Sequence, residues 1–223
     1  MRHGHVFVGA ALAAAIAVPV QAQSVRGITD KEIIIGMHTD LSGPASFYGV
    51  SSRNAAQMRY DIVNEQGGIH GRKIKFIVED TQYQVPRGVA AVNKLINRDK
   101  VFAIVGGLGT PIINAAFKEQ EAANVPNMFP LTSARSMSEP LNRLKFATGA
   151  SYYHQIRLAM KWLVENKQRK VICSLYEDTD FGQEILEGVQ DQAKEMGIKV
   201  VETAGVKPTD TDFTAAVTKL KNA

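Results

Sequence analysis

The sequence holds one cysteine, one tryptophan and no block of like charge. A lone Cys173 excludes an internal disulfide framework. It lies in the apolar run Val171, Ile172, Cys173, Ser174, Leu175, which predicts a buried structural thiol. The 26 basic and 22 acidic residues are interspersed, so the net charge of +4 marks no tract for nucleic acid or a lipid surface. No nucleic-acid partner is expected. Neither a Walker A run nor G-x-G-x-x-G is present. Of five histidines, His3 and His5 sit at the extreme N-terminus, and His38, His70 and His154 are too scattered for metal-ligand spacing. No metal and no cofactor is expected. No apolar run reaches the roughly 20 residues that a transmembrane helix needs.

What is present begins at the N-terminus. Arg2 precedes an apolar stretch over residues 6–18, and Pro19 precedes Val20, Gln21 and Ala22. This is the three-part pattern of a secretory signal peptide over residues 1–22, cleaved after Ala22. No cysteine follows the expected cleavage point, which argues against a lipid anchor there. Losing Arg2 leaves 25 − 22 = +3 on the mature chain.

The remainder alternates strand and helix patterns. Strands are expected at 32–37, 73–78, 101–105, 145–148, 170–176 and 198–203, with a short extended piece at 125–130. Helices are expected at about 46–65, 86–97, 111–123, 152–165, 182–196 and 211–220. In the first helix Ala55, Ala56, Met58 and Ile62 are spaced for one core-facing stripe. Repeated strand–helix units with β-branched strands predict an α/β fold of parallel sheets covered on both faces. A polar stretch at 131–144 reads as the boundary region between two Rossmann-like lobes, 23–145 and 146–223. The second lobe is expected to be incomplete, with about two strands past the crossover.

In such sheets ligands bind beyond the carboxyl ends of the strands, where strand order reverses. For the order 2-1-3-4, that point falls between residues 39–44 and residues 106–111. Thr110 reads as the N-cap and Pro111 as the first helical residue, so free N–H groups would face the crevice and suit a carboxylate. The acids Asp40, Asp80, Glu177, Asp178 and Asp180 lie near strand ends, where solvation is the default. Tyr152, Tyr153 and Trp162 read as core packing of the second lobe. Nothing forms a nucleophile–base constellation, so no catalytic residue is expected.

At several points the residues carry a likeness. Leu41-Ser42-Gly43-Pro44 with Tyr48-Gly49, then residues 64–73 (NEQGGIHGRK), Glu79-Asp80-Thr81, Val105-Gly106-Gly107, residues 176–182 (YEDTDFG) and Asp210-Thr211-Asp212-Phe213 follow in order. In this spacing the sequence resembles the type I periplasmic binding proteins of the leucine/isoleucine/valine-binding branch. The resemblance implies a periplasmic, non-enzymatic solute-binding component of an ABC importer. Its partners would be an amino acid or similar small carboxylate and an inner-membrane ABC permease. It further implies a site over Ser42, Tyr48, Gly109, Thr110, Leu131, Thr132, Ser133 and Phe181. Thr110 would hold the ligand carboxylate. Leu131, Thr132 and Ser133 would share its carboxylate and ammonium, Tyr48 would line the side-chain pocket, and Phe181 would close it.

Three departures touch the ligand's identity. Gly109 stands where many relatives carry a side chain, Phe181 replaces a tyrosine, and Val85-Pro86 lacks the usual preceding acid. Members of that family are also much longer, so the chain is expected to be a fragment or the product of an early stop. A ligand-binding part of an extracytoplasmic sensor, a non-functional truncated remnant and an enzyme on a doubly wound fold stay open as alternatives.

Overall fold

The computed structural model describes residues 24–223, so the signal peptide expected at 1–22 lies outside the described residues. Two parallel sheets organise the chain. The first is built from β1 (Glu32–Thr39), β2 (Lys73–Asp80), β3 (Ala103–Val105), β4 (Asn127–Met128) and β5 (Lys145–Phe146) in the order β2-β1-β3-β4-β5. The second pairs β6 (Ile172–Glu177) with β7 (Val200–Val206). All named strand pairs are parallel. The helices are α1 (Ser46–Glu65), α2 (Val85–Asn93), α3 (Thr110–Ala122), α4 (Tyr152–Lys167), α5 (Asp180–Glu195) and α6 (Thr214–Lys221). A π-helical turn, Lys94–Arg98, extends α2.

Burial divides unequally between the sheets. Val92, Leu95, Ile96, Val101, Ile104 and Val125 are all essentially inaccessible and form one cluster with Ala116. The cluster of the second sheet contains Met160, Val189 and Ala193. With each fully buried large aliphatic side chain worth about 1.5–3 kcal/mol, the first lobe carries the greater hydrophobic stabilisation.

The structure departs from expectation in five places, each with a physical reason. The strand at Lys145 does not open the second lobe. It is the edge of the first sheet, paired with β4 through Asn127 and Met128, so the 131–144 stretch is a connection inside the first lobe. In α1, Ala55, Met58 and Ile62 point to solvent, with Met58 62% exposed. That helix docks through polar and aromatic groups instead. The Asn64 amide exchanges hydrogen bonds with the backbone of Ile74 at 2.7 and 2.9 Å, and the Tyr60 ring meets Phe76 edge to face at 5.0 Å. Cys173 is exposed, with Val171 at 72% and Leu175 at 45%. On a two-stranded sheet, the side of β6 away from α5 is covered only by α6, whose Leu220 carbonyl lies 3.7 Å from the Cys173 sulfur. Trp162 is likewise half exposed on the outer side of α4. Finally, Asp40 is fully buried rather than solvated, because three backbone amides satisfy its carboxylate.

Candidate functional site

The carboxyl end of β1 is fixed by paired turns. Asp40 accepts N–H bonds from Ser42 (3.1 Å), Gly43 (2.5 Å) and Ala45 (2.7 Å), which folds the loop tightly and launches α1 at Ser46. Asp80, at the end of β2, accepts from the Leu41 amide (2.8 Å), the Gln82 amide (3.0 Å) and the Ser42 hydroxyl (2.6 Å). Burial pushes the Asp80 carboxyl up, but these three donors outweigh it and hold it below the usual carboxylate range. Ser42 is therefore an exposed loop-bracing hydroxyl that also accepts from Gln82, and it does not line the cavity described below.

The loop after β2 carries an outlier. Gln82 and Tyr83 are consecutive left-handed residues with φ of 51° and 55°. Such conformations cost about 1–3 kcal/mol each and persist only where surroundings over-determine them. Here the Thr81 hydroxyl accepts the Tyr83 amide at 3.2 Å and the Thr81 carbonyl accepts the Gln84 amide at 3.0 Å. The result lays the Tyr83 ring against Gly109, where an added Cβ would stand 3.1 Å from it. Gly109 also has φ of 103°, so the backbone conformation favours glycine and a side chain there would crowd the ring.

Beyond β3, the Leu108 amide bonds the His38 carbonyl (3.0 Å) and the Leu131 amide bonds the Gly107 carbonyl (2.8 Å). The loops at 106–111 and 129–133 thereby run side by side. Thr110 is not the N-cap: Gly109 occupies that position, Pro111 follows within the first turn, and no side chain caps the helix. The Thr110 hydroxyl is directed elsewhere, to the Thr132 hydroxyl at 2.6 Å, with both residues nearly inaccessible. Thr132 Oγ1 also accepts the Ala134 N–H at 3.2 Å. Each hydroxyl has one proton. If Thr132 gives its own to Thr110, the Thr110 proton is free for a third group, and the chain of bonds is polarised toward it. Thr132 thus sits behind Thr110 and does not line the cavity. Ser133 contributes its carbonyl to the Tyr152 amide (2.9 Å), tying α4 to the first lobe.

The second lobe supplies the facing wall. Ser151 caps α4, accepting the His154 amide at 3.3 Å. The rings of Tyr152 and Phe181 meet edge to face at 4.9 Å. Glu177 ends β6 and accepts the Thr179 hydroxyl at 2.8 Å. Gly182, in the first turn of α5, packs so closely on the Glu177 backbone that a Cβ would overlap its carbonyl.

Between these walls lies a cavity of about 590 Å³. Tyr48, Tyr83, Leu108, Gly109, Thr110 and Leu131 line it from the first lobe, beside Pro44, Ala45 and Ser52. Tyr152, Glu177, Phe181 and Pro208 line it from the second. Of the eight residues named from the sequence, Tyr48, Gly109, Thr110, Leu131 and Phe181 meet here, while Ser42, Thr132 and Ser133 stand outside the lining. Tyr83, Tyr152, Leu108 and Glu177 went unnamed as site residues. Glu177 had the clearest signal, an acid at the carboxyl end of a strand. Tyr83 had none, because its reach depends on a left-handed loop.

Two titratable groups are strongly perturbed. Burial pushes the Tyr83 phenol well above its ordinary value, reinforced by the facing Glu177 carboxylate, so it remains a neutral donor. His38, fully buried below Gly107, is lowered from 6.5 to about 4 by desolvation and is neutral at pH 7. The lobes also meet beside the cavity. Glu184 accepts the Arg135 amide on both oxygens (2.9 and 3.0 Å) and the Tyr153 amide (3.1 Å). Asn114 donates to Asp180 at 2.8 Å, and Arg135 pairs with Glu187 while lying over the Tyr153 ring.

Comparison with known proteins places this geometry. The family description "Periplasmic binding protein" matches residues 32–223. The leucine-, isoleucine-, valine-, threonine- and alanine-binding protein of Pseudomonas aeruginosa is 28% identical over 191 residues, covering 86% of this chain and 51% of the relative. Among solved structures, a fatty acid ABC transporter substrate-binding protein from Thermomonospora curvata superposes with a TM-score of 0.81 at 30% identity, over 90% of this chain and 51% of that one. A branched-chain amino acid transporter substrate-binding protein from Streptococcus pneumoniae, in complex with isoleucine, shares the fold with a TM-score of 0.70 at 24% identity, over 86% and 55%. The chain spans about half the length of the relatives it matches.

Proposed function

The chain belongs to the periplasmic binding protein family, and from that premise we propose that it is the extracytoplasmic solute-binding component of an ABC importer, holding an amino acid of the branched-chain type or a similar small carboxylate between its lobes. In this reading residues 1–22 are a signal peptide removed on export, the first lobe runs from residue 23 through β5, the second lobe follows from α4, and an inner-membrane permease receives the solute.

The carrying observation is the cavity walled by both lobes, with Thr110 and the start of α3 on its floor. The first turn of a helix has N–H groups without intrahelical partners and a positive dipole end, which together solvate a carboxylate. The remaining walls are mostly apolar and aromatic, as a small-molecule site requires. A ligand touching both walls favours the closed arrangement of a hinge, and a permease can read that state.

A second reading is a solute with a longer apolar body. The four aromatic rings on the cavity and the ligand named for the Thermomonospora curvata protein favour it. Calorimetric titration of the chain from Gln23 to Ala223 against leucine, isoleucine, valine, alanine and a series of straight-chain fatty acids tests both. Saturable binding of an aliphatic amino acid supports the first reading, and binding of the fatty acids alone supports the second. Heat traces without saturation across the whole panel would remove the solute-binding role.

A further inference from the structure

We infer that the pole of the second lobe farthest from the cleft is a docking surface for an anionic lipid bilayer. The inference is independent of the solute-binding reading and rests on what the fold gathers at that pole. β6 and β7 are parallel, with Ile172 beside Val200, so both strands start at one end of the lobe. Glu177, at the other end of β6, lines the cavity. The helices run back from the cleft and end where the strands begin. Each ends in basic residues: Lys167 in the last turn of α4, Lys194 in that of α5, and Lys219 and Lys221 in that of α6. Arg169 and Lys170 then precede β6, and Lys199 precedes β7. All of these side chains are exposed. They form no tract in the sequence and meet only because the strands are parallel.

The acids at this end are already matched. Glu165 lies 3.9 Å from Lys161, Glu195 pairs with Arg157, and Glu202 lies 3.1 Å from Lys219. None of the ion pairs among the described residues involves Lys167, Arg169, Lys170, Lys194, Lys199 or Lys221. Cations near a helix C-terminus complement its dipole, but that does not account for Arg169, Lys170 and Lys199, which lie outside the helices. The first lobe does not repeat the pattern. Its α1 and α3 carry no basic residue in their last turns, and Arg98 stands at the end of the π-helical extension of α2.

Apolar groups stand among these cations. Trp162, near the end of α4, is half exposed with the Lys167 ammonium 5.3 Å from its ring centre, and Val171 is exposed at the start of β6. Tryptophan beside Lys and Arg suits a membrane–water interface, where the indole sits at headgroup depth and the cations meet lipid phosphates. A polyanion with no apolar phase would engage the cations and leave Trp162 and Val171 uncovered. Among the described residues no helix is long and apolar enough to cross a membrane, so the contact is peripheral. A chain resting on this pole keeps its cleft open to the aqueous side.

Trp162 is the only tryptophan in the chain, so its emission reports the contact directly. The chain from Gln23 to Ala223, which lacks the apolar stretch at 6–18, is mixed at low salt with vesicles of equal parts phosphatidylglycerol and phosphatidylcholine, and with vesicles of phosphatidylcholine alone. The anionic vesicles should shift the emission to shorter wavelength and carry the protein in a flotation gradient. About 1 M salt should release it, because the screening length falls to about 3 Å. Each cation near the surface contributes about fivefold in partitioning, so Arg169→Gln, Lys170→Gln and Lys199→Gln together should weaken binding by about 100-fold. Trp162→Ala should weaken it less. Removing an equal charge from exposed sites of the first lobe, through Lys31→Gln, Arg59→Gln and Lys75→Gln, should weaken it far less than the second-lobe triple variant does. Equal binding to the two vesicle types, no emission shift with the anionic vesicles, or equal losses from the two triple variants overturns the inference. Binding to duplex DNA without binding to the anionic vesicles makes the pole a polyanion site and overturns the membrane assignment.

Discussion

Replacing Thr110 by valine keeps the shape of a nearly inaccessible side chain and removes one hydroxyl. In the unliganded protein that hydroxyl has one partner, Thr132 at 2.6 Å. Thr132 keeps its bond from the Ala134 amide, but its own buried O–H loses its acceptor. The loss of folding stability should be about 1–3 kcal/mol, the cost of leaving one buried donor without an acceptor. With ligand bound, the same hydroxyl is expected to donate to a carboxylate, and losing a bond to a charged group costs about 1.5–3 kcal/mol, or about 10- to 150-fold in Kd. Thr132→Val acts one step back. It strands the Ala134 N–H and also takes the Thr110 hydroxyl's partner, so its stability cost should exceed that of Thr110→Val, while its effect on Kd should stay under about 10-fold. Because both act through the Thr110 proton, the double variant should lose little more affinity than Thr110→Val alone. Urea melts give the stability half and calorimetric titration with the best-binding solute gives the affinity half. An unchanged Kd in Thr110→Val, or Thr132→Val weakening binding as much as Thr110→Val, would refute the assignment of Thr110 as the direct contact.

Two further outcomes follow from buried groups. His38 has a folded pKa of about 4 against 6.5 in the unfolded chain, so between those values the unfolded state binds the additional proton. Stability is therefore full above about pH 6.5 and falls as pH drops toward 4, by up to about 3 kcal/mol at 1.36 kcal/mol per pH unit. Urea melts from pH 7.5 to 4.5 should show a fall that is smaller in His38→Gln, and an identical pH profile in the two proteins would contradict it. Glu184 gathers the amides of Arg135 and Tyr153 from either side of the lobe junction. Glu184→Ala should weaken ligand binding by about 10-fold or more through loss of the closed arrangement, since each bond to a charged group contributes about 1.5–3 kcal/mol. Unchanged affinity would make Glu184 a local brace only.

The sheets were legible because each buried strand, such as residues 101–105, is a short apolar run set between turn residues. Helix positions followed to within a few residues, but faces did not always follow. Apolar periodicity in α1 pointed to Met58 and Ile62, whereas the helix docks through Asn64 and Tyr60, whose bonds to Ile74 and contact with Phe76 carry no apolar signature. The site was half legible for a related reason. Thr110 lies on a loop at the switch point, so strand order points to it, whereas Leu131, after β4, was named only through the family resemblance. Glu177 and Tyr152 reach the cavity only through the way the second lobe sits on the first, held by contacts such as the Tyr152 amide on the Ser133 carbonyl. The Thr110 hydroxyl was expected to cap its own helix. It turns to Thr132 because Gly109, free to adopt φ of 103°, takes the capping position instead.

The central claim is that one solute occupies the cleft and touches both lobes. Amide hydrogen exchange, followed with and without saturating leucine, reads this residue by residue. The account predicts added protection in the first turn of α3 around Ile112 and Ile113, in the loop at 131–135, and in residues 177–184 of the second lobe. Protection confined to the first lobe, or no change in any of the three segments, would contradict it.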